Sequence, residues 1–307
     1  MKRFIALLAA LGAVLSACAS TPVASTVTAP ASSFPATLTA SNGAVTIHAR
    51  PRRIMSLSAS ATSMLYDIGA GRQVVAVDKY STDPPNAPRT NLTGYETGPE
   101  SFVPFHPDLV VLAFDESGNL TSQLAALGIA VLLLPPATSV NGTYAQILLL
   151  GRATGHETGA AAENVSIKAK LAAVVSSVGS RARGLTYYQE LDPTLYTATS
   201  RTFIGSLYGL LGMVNVADRA GTSGDQYPQL STEFLIKANP DDVFLADDNC
   251  CGQSAASFAA RPGFGVLHAV TTHHVFALPD ALVSQWGPRI VIFLQDVARD
   301  LLGASHT

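Results

Sequence analysis

Apolar and polar positions alternate along this chain in two rhythms that follow each other repeatedly. Short apolar runs with the two-residue period of strands give way to stretches whose apolar residues recur three and four apart, as on a helix. Arg53 to Leu57 reads as a strand, and Ser60 or Thr62 caps a helix through Leu65 and Ile68 that Gly69 and Gly71 stop. Gln73 to Val77 is the next strand, followed by the turn Asp83-Pro84-Pro85-Asn86. Asp108 to Phe114, a helix over 120–127 closed by Gly128, and Ile129 to Leu134 continue the scheme. Ile147 to Leu150 reads as a buried helix face, and Glu157 to about Ser180 as one long helix. Leu185 to Leu191 and Leu195 to Thr199 read as strands, with a helix over Phe203 to Leu211. Glu233 to Ala238, the strands Asp242 to Ala246 and Val275 to Leu278, and a helix from Pro288 to Leu302 finish the chain. Such alternation is the mark of an α/β protein.

The scheme also repeats. Residues 100–113, which contain Glu100, Pro107 and Asp108, match residues 233–246, with Glu233, Pro240 and Asp241, at a constant offset of 133. Ser63-Met64-Leu65-Tyr66 likewise echoes Ser206-Leu207-Tyr208. Two copies spaced by half the body imply two similar lobes, since solenoid repeats are far shorter. Ligands of open α/β sheets bind beyond the carboxyl ends of the strands, so two facing lobes make a groove there. The reading is therefore two Rossmann-like α/β lobes bridged by one long helix. The boundaries are an N-terminal lobe over 44–156, the bridging helix over 157–182 and a C-terminal lobe over 183–307.

The start of the chain adds an address. Lys2 and Arg3 precede an uncharged apolar run, Phe4 to Leu15, that is too short to span a bilayer. It ends on Leu15-Ser16-Ala17-Cys18, which resembles the lipobox of bacterial lipoproteins. That resemblance implies a signal peptide over 1–17, cleavage before Cys18, and lipidation of Cys18. From Ala19 to Ile47 no Asp, Glu, Lys or Arg occurs, so a flexible tether is expected over 18–43. The net charge of −3 comes without basic clusters, which points away from nucleic acid.

Candidate chemistry is sparse. Tyr80, Tyr95 and Tyr227 sit in turn-rich loops where a core tyrosine is less expected, and a phenol offers a flat face with a hydroxyl handle. Trp286, the one tryptophan, lies in the loop before the final helix as part of the cleft wall, and Arg289 just after it could meet an anionic substituent of the ligand. His106 matches Asn239 in the repeat and is read as a turn residue, and His273-His274 as an exposed pair. No His, Cys and carboxylate spacing suggests a metal site, and no cofactor is expected. Neither a Gly-x-Ser-x-Gly elbow nor a dinucleotide fingerprint is present, so no enzyme is expected. Cys250 and Cys251 are adjacent in a polar loop, where either a strained vicinal disulfide or two free thiols fits.

Residues 53–62, Tyr95 with Glu100, Pro107-Asp108, residues 227–233, Ala260-Arg261-Pro262-Gly263 and Pro288-Arg289 together resemble the periplasmic binding proteins for cobalamin, ferric siderophores and haem. The likeness runs from about Arg50 to the C-terminus. It leans to the cobalamin-binding branch through residues 78–81 and 227–229, although tyrosines at 95 and 227 stand where that branch often has tryptophans. The resemblance implies the class III, helical-backbone form of this fold. It also implies capture of a metal chelate outside the membrane, by a monomer that serves the permease and ATPase of an ABC importer. Glu100 and Glu233 would then dock into the permease, although each also suits a helix N-terminus. A surface sensor or adhesion lipoprotein with the same fold is the alternative.

Overall fold

Residues that are apolar on both sides of a strand make sheets covered on both faces, and both halves of this chain are built on such strands. The computed structural model describes residues 34–96, 98–220 and 224–303, without the side chains of Asn249 and Cys250. A hairpin of β1 (Ala36–Ala40) and β2 (Gly43–Ile47) precedes the first lobe. That lobe holds β3 (Ile54–Leu57), α1 (Ala59–Asp67), β4 (Val74–Val77), β5 (Leu109–Leu112), α2 (Asn119–Ala126) and β6 (Ala130–Leu133). Helices α3 (Val140–Thr154) and α4 (Glu157–Val178) follow. The second lobe has β7 (Thr186–Glu190), α5 (Phe203–Leu210), β8 (Val214–Asn215), α6 (Thr232–Ala238) and β9 (Asp242–Leu245). After β9 come the short helices α7 (Asp248–Cys251), α8 (Ala255–Ala259) and α9 (His268–Thr271). Strand β10 (Val275–Ala277), α10 (Asp280–Val283) and α11 (Ile290–Leu301) complete the chain.

Both sheets are four-stranded and parallel, in the order β4-β3-β5-β6 and β8-β7-β9-β10. Numbered within each lobe, the order is second, first, third, fourth in both, so the sequence repeat is a repeat of topology. Its local details repeat as well. His106 and Asn239 both adopt the left-handed conformation at φ 45°. Two residues on, the Asp108 carboxylate accepts from the amides of Arg52 and Arg53 at 2.8 and 2.9 Å, fixing the start of β3. Asp241 accepts from the Thr186 amide and hydroxyl, both at 2.7 Å, and fixes the start of β7.

The strands split their side chains between two layers. Ile54, Leu109 and Val111 of the first lobe and Tyr187 and Phe244 of the second belong to one continuous core, which the stripes of α4 and α11 complete. Met55, Val110 and Leu112 face a separate core in the first lobe, and Tyr188, Val243 and Leu245 another in the second. The buried residues of α4, Ala160, Asn164, Ile167, Leu171, Val174 and Val178, recur with the helical period. One shared core between the lobes makes large hinge motion costly, because opening would expose it.

Three expectations need correction. The uncharged segment read as tether to residue 43 is ordered from Ala36, where Leu38 and Ile47 of the hairpin are buried. Leu195 to Thr199 is no strand of the sheet: single antiparallel bridges join Thr197 to Glu190 at the end of β7 and Tyr196 to Gln229, and β8 is the strand that pairs with β7 on that side. Ser58, ahead of Ser60 and Thr62, caps α1 by accepting from the Ala61 amide. The Thr62 hydroxyl is committed to Ser56 and Ser81 instead. The leader, Cys18 and most of the expected tether lie outside the described residues. Among the described residues, no helix is long and apolar enough to cross a membrane.

Candidate functional site

All strands of the first lobe end on the same edge, and the loops leaving that edge line a cavity of about 580 Å³. Ser58 to Ser60 follow β3, Asp78 to Tyr80 follow β4, and Ala113 and Phe114 follow β5. The Asp78 carboxylate accepts from the amides of Tyr80 and Ser81 and so sets the turn that carries Tyr80. Burial raises the Asp78 pKa against these hydrogen bonds. Tyr80 and Tyr95 are 56% and 71% exposed, so their faces belong to the cavity and solvent rather than to the core. Tyr95 meets Phe114 edge to face at 5.4 Å, which braces the two rings as one wall. Lys79 Nζ lies 4.8 Å from the centre of the Tyr80 ring.

The opposite wall comes from the far end of the chain. Asp280, Ala281, Ser284, Gln285 and Trp286 close the cavity from α10 and the loop behind it. Three hydrogen bonds anchor Trp286 to the first lobe. Its amide donates to Ser60 Oγ at 3.2 Å, its indole N–H to Gln146 Oε1 at 2.8 Å, and its carbonyl accepts from Thr143 Oγ1 at 2.5 Å. Beyond this wall lies a second cavity of about 430 Å³, lined among others by Arg201, Phe203, Gln226 and Tyr227 and sharing Ser284, Gln285 and Trp286. The two cavities are halves of one groove divided by those three residues. Tyr227 is 52% exposed, and its loop is tied down where Arg201 Nη2 donates to the Asp225 carbonyl at 2.7 Å.

The structure thus brings Tyr80, Tyr95 and Trp286 together and places Tyr227 in the adjoining compartment. Arg289 is not in this wall: it turns away toward Asp83, with Nε 4.0 Å from the carboxylate. Arg201 and Gln285 were missed in the sequence, and Lys79 and Phe114, though inside segments already singled out, were not read as site residues; Lys79 directly precedes Tyr80 and Gln285 directly precedes Trp286. Glu100 and Glu233 are exposed. Glu233 stands in the first turn of α6, where its own backbone amide and the Ser231 hydroxyl lower its pKa. Glu100 stands in the short turn Pro99–Ser101.

Cys251 is disulfide-bonded and exposed; the side chain of Cys250 lies outside the described residues. His274 is not free of the protein, since its Nδ1 lies 2.9 Å from the buried Asp242 carboxylate, while His273 is exposed. Among the described residues, no group of three or more His, Cys, Asp and Glu side chains is placed to hold a metal ion.

A "Cobalamin-binding protein" of Halobacterium salinarum is 33% identical over 270 residues, covering 85% of this chain and 72% of that protein. An "Uncharacterized ABC transporter substrate-binding lipoprotein" of Bacillus subtilis is 29% identical over 282 residues, covering 87% and 86%. In three dimensions the chain is similar to a possible iron-binding periplasmic solute-binding protein from Staphylococcus epidermidis. The TM-score there is 0.71 at 24% identity, over 82% of this chain and 99% of that one. The family model for periplasmic binding proteins matches residues 54–282. With that match spanning both lobes and the groove between them, the chain belongs to the periplasmic binding protein family.

Proposed function

We propose that this protein is the extracytoplasmic, lipid-anchored capture subunit of an ABC importer and that its ligand is a corrinoid of the cobalamin type. The observation that carries the reading is the divided groove. Aromatic faces of Tyr80, Tyr95, Phe114 and Trp286 stand around one compartment, and Tyr227 borders the next. Flat, partly exposed rings suit a large macrocycle, and a groove fixed by a shared core is formed before the ligand arrives. The lipoprotein name of the Bacillus subtilis relative supports the anchor, and the name of the Halobacterium salinarum relative supports the ligand. Strands end and the following helices begin at the groove edge, so Glu233 at the start of α6 lies on that face. Glu100 holds the matching place in the other lobe. This placement supports presentation of one carboxylate from each lobe to a membrane permease.

The test is calorimetric titration of the full chain with cyanocobalamin, haemin and a panel of ferric siderophores. Saturable, one-to-one binding of cyanocobalamin, tighter than of the others, is the expected result. Tight binding of haemin or a siderophore with none of cyanocobalamin overturns the corrinoid reading and leaves the transport role standing.

A further inference from the structure

The two compartments of the groove differ in charge. The first is lined by two carboxylates, Asp78 and Asp280, and one ammonium, Lys79. In the second, Arg201 is the one charged side chain among the described residues that line it. Its guanidinium is held at one corner, where Nη2 donates to the Asp225 carbonyl at 2.7 Å. Among the described residues it forms no ion pair, and Nε and Nη1 have no partner. The carboxylates of the adjoining loops are turned to backbone instead. Asp218 accepts from the Ser200 amide at 2.9 Å, and Asp225 from the Tyr227 amide at 3.0 Å. Arg201 is exposed, so its remaining donors are open to whatever enters the compartment. A planar fork of donors fixed at one end suits an oxyanion, above all a phosphate, which it can hold with two parallel bonds.

A macrocycle seated against the rings of the first compartment therefore finds the best place for an anionic arm in the second. A corrinoid of the cobalamin type has such an arm. Its ring is fringed with neutral carboxamides, and its single anionic substituent is the phosphodiester of the nucleotide that hangs from one edge. Building on the corrinoid reading, we infer that the second compartment receives this nucleotide arm and that Arg201 pairs with its phosphodiester. One cation meets one anion there. Phe203, Tyr227 and Trp286 give the same compartment aromatic surface for the base, and its volume of about 430 Å³ is that of a small-molecule site. The pairing selects complete corrinoids over precursors that lack the arm, because only the complete ligand satisfies the guanidinium.

The experiment is calorimetry on the full chain with cyanocobalamin and with dicyanocobinamide, which keeps the corrin ring and its amides but lacks the phosphodiester and the base. The wild type is expected to bind dicyanocobinamide about 10-fold more weakly, the effect of one hydrogen-bonded charge. Arg201→Gln should weaken cyanocobalamin about 10-fold, leave dicyanocobinamide within about 2-fold, and so erase the preference. Arg201→Lys keeps the charge without the fork and should fall between the two. Raising NaCl from about 50 to 500 mM should weaken cyanocobalamin binding by the wild type. It should leave unchanged the binding of cyanocobalamin by Arg201→Gln and of dicyanocobinamide by either protein. An Arg201 that only braces the Tyr227 loop would give equal losses for both ligands, or a loss for cyanocobalamin with its salt dependence unaltered. Either result overturns the pairing, as does a wild type that binds both ligands equally or a preference that survives Arg201→Gln. The corrinoid reading stands in each of these cases. Binding of neither ligand by the wild type removes that reading and this inference together.

Discussion

Arg261 holds Glu190 with two guanidinium nitrogens, Nη1 to Oε2 at 2.8 Å and Nη2 to Oε1 at 2.5 Å, at the inner end of β7. Glu190 is wholly buried, and Arg261 packs its guanidinium over the rings of Phe258 and Phe264. Tyr188 Oη also donates to Glu190, at 3.2 Å. This pair ties the last residue of a central strand to the segment after α8, where local sequence gives no reason for contact. Replacing Arg261 by Ala strands a buried carboxylate, and the expected loss is about 3 kcal/mol of stability. Urea unfolding of the variant and wild type checks it.

The same carboxylate makes a pH prediction. Burial raises the Glu190 pKa from 4.5 to about 7, with Arg261 opposing the shift and the neighbouring Asp247 adding to it. A folded-state pKa above the unfolded one means that the folded form holds the proton more tightly. Its stabilising contribution is complete below about pH 4.5 and is lost as the pH rises through about 7. The span of that change is about 3 kcal/mol for a shift of this size. Glu190→Gln, which keeps an acceptor for Arg261, should flatten the stability profile in that window. Melting curves of wild type and variant across it measure the difference, and parallel profiles would contradict the assignment.

Gly159 is the point at which α4 crosses the end of α1. A Cβ there would run into the carbonyl oxygen of Ile68, a backbone atom that cannot swing aside. Helix propensity alone makes Gly159→Ala stabilising by about 1 kcal/mol. Overpacking against backbone costs about 1–3 kcal/mol, so the net effect expected is destabilisation, seen as a lower Tm. An increase in Tm would show that α4 can slide outward on the shared core.

Much of this architecture was readable in the chain because its strands are apolar on both faces and its repeat carries distinctive residues. Pro107-Asp108 and Pro240-Asp241 mark the two lobes before any coordinates, and their carboxylates do the same structural work. The β1–β2 hairpin escaped because Thr, Ser and Ala without charge resemble a linker. The signal was present in Asn42-Gly43 between alternating residues: the turn is Ser41-Asn42, and Gly43, at φ 97°, opens β2. Tyr80, Tyr95 and Tyr227 were visible as aromatics in turns. Trp286 was visible too, as the one tryptophan ahead of the last helix; Gln285 beside it was not, because its place opposite Tyr80 depends on the chain returning to the first lobe after β10. Nothing in the local pattern encodes that return.

The aromatic walls give a graded binding prediction. Tyr80→Ala, Tyr95→Ala and Tyr227→Ala remove exposed rings, so stability should change by less than about 0.5 kcal/mol. Each is expected to weaken corrinoid binding about 10-fold, or about 1.4 kcal/mol. Tyr196 serves as the control, since it is 43% exposed but lines neither groove compartment. Tyr196→Ala should leave the affinity unchanged. Equal losses at Tyr196 and Tyr80 would mean that the titration reads general surface effects.

The proposed docking of Glu100 and Glu233 can be tested by separating capture from delivery. Both are exposed and neither lines a groove compartment, so reversing their charge should not touch the ligand. The Glu100→Arg, Glu233→Arg double variant is expected to bind cyanocobalamin with wild-type affinity. Stability should fall only slightly, because at α6 the change places a cation in the first turn of a helix at an exposed position. Uptake by cells carrying the variant and its own permease should nevertheless be lost, since two cations would face a surface that accepts two carboxylates. Single reversals should give intermediate uptake, because each lobe contributes one contact and the remaining one still orients the complex. Uptake that survives the double reversal would place the permease contact elsewhere on the two lobes and return Glu233 to the role of a helix-end carboxylate.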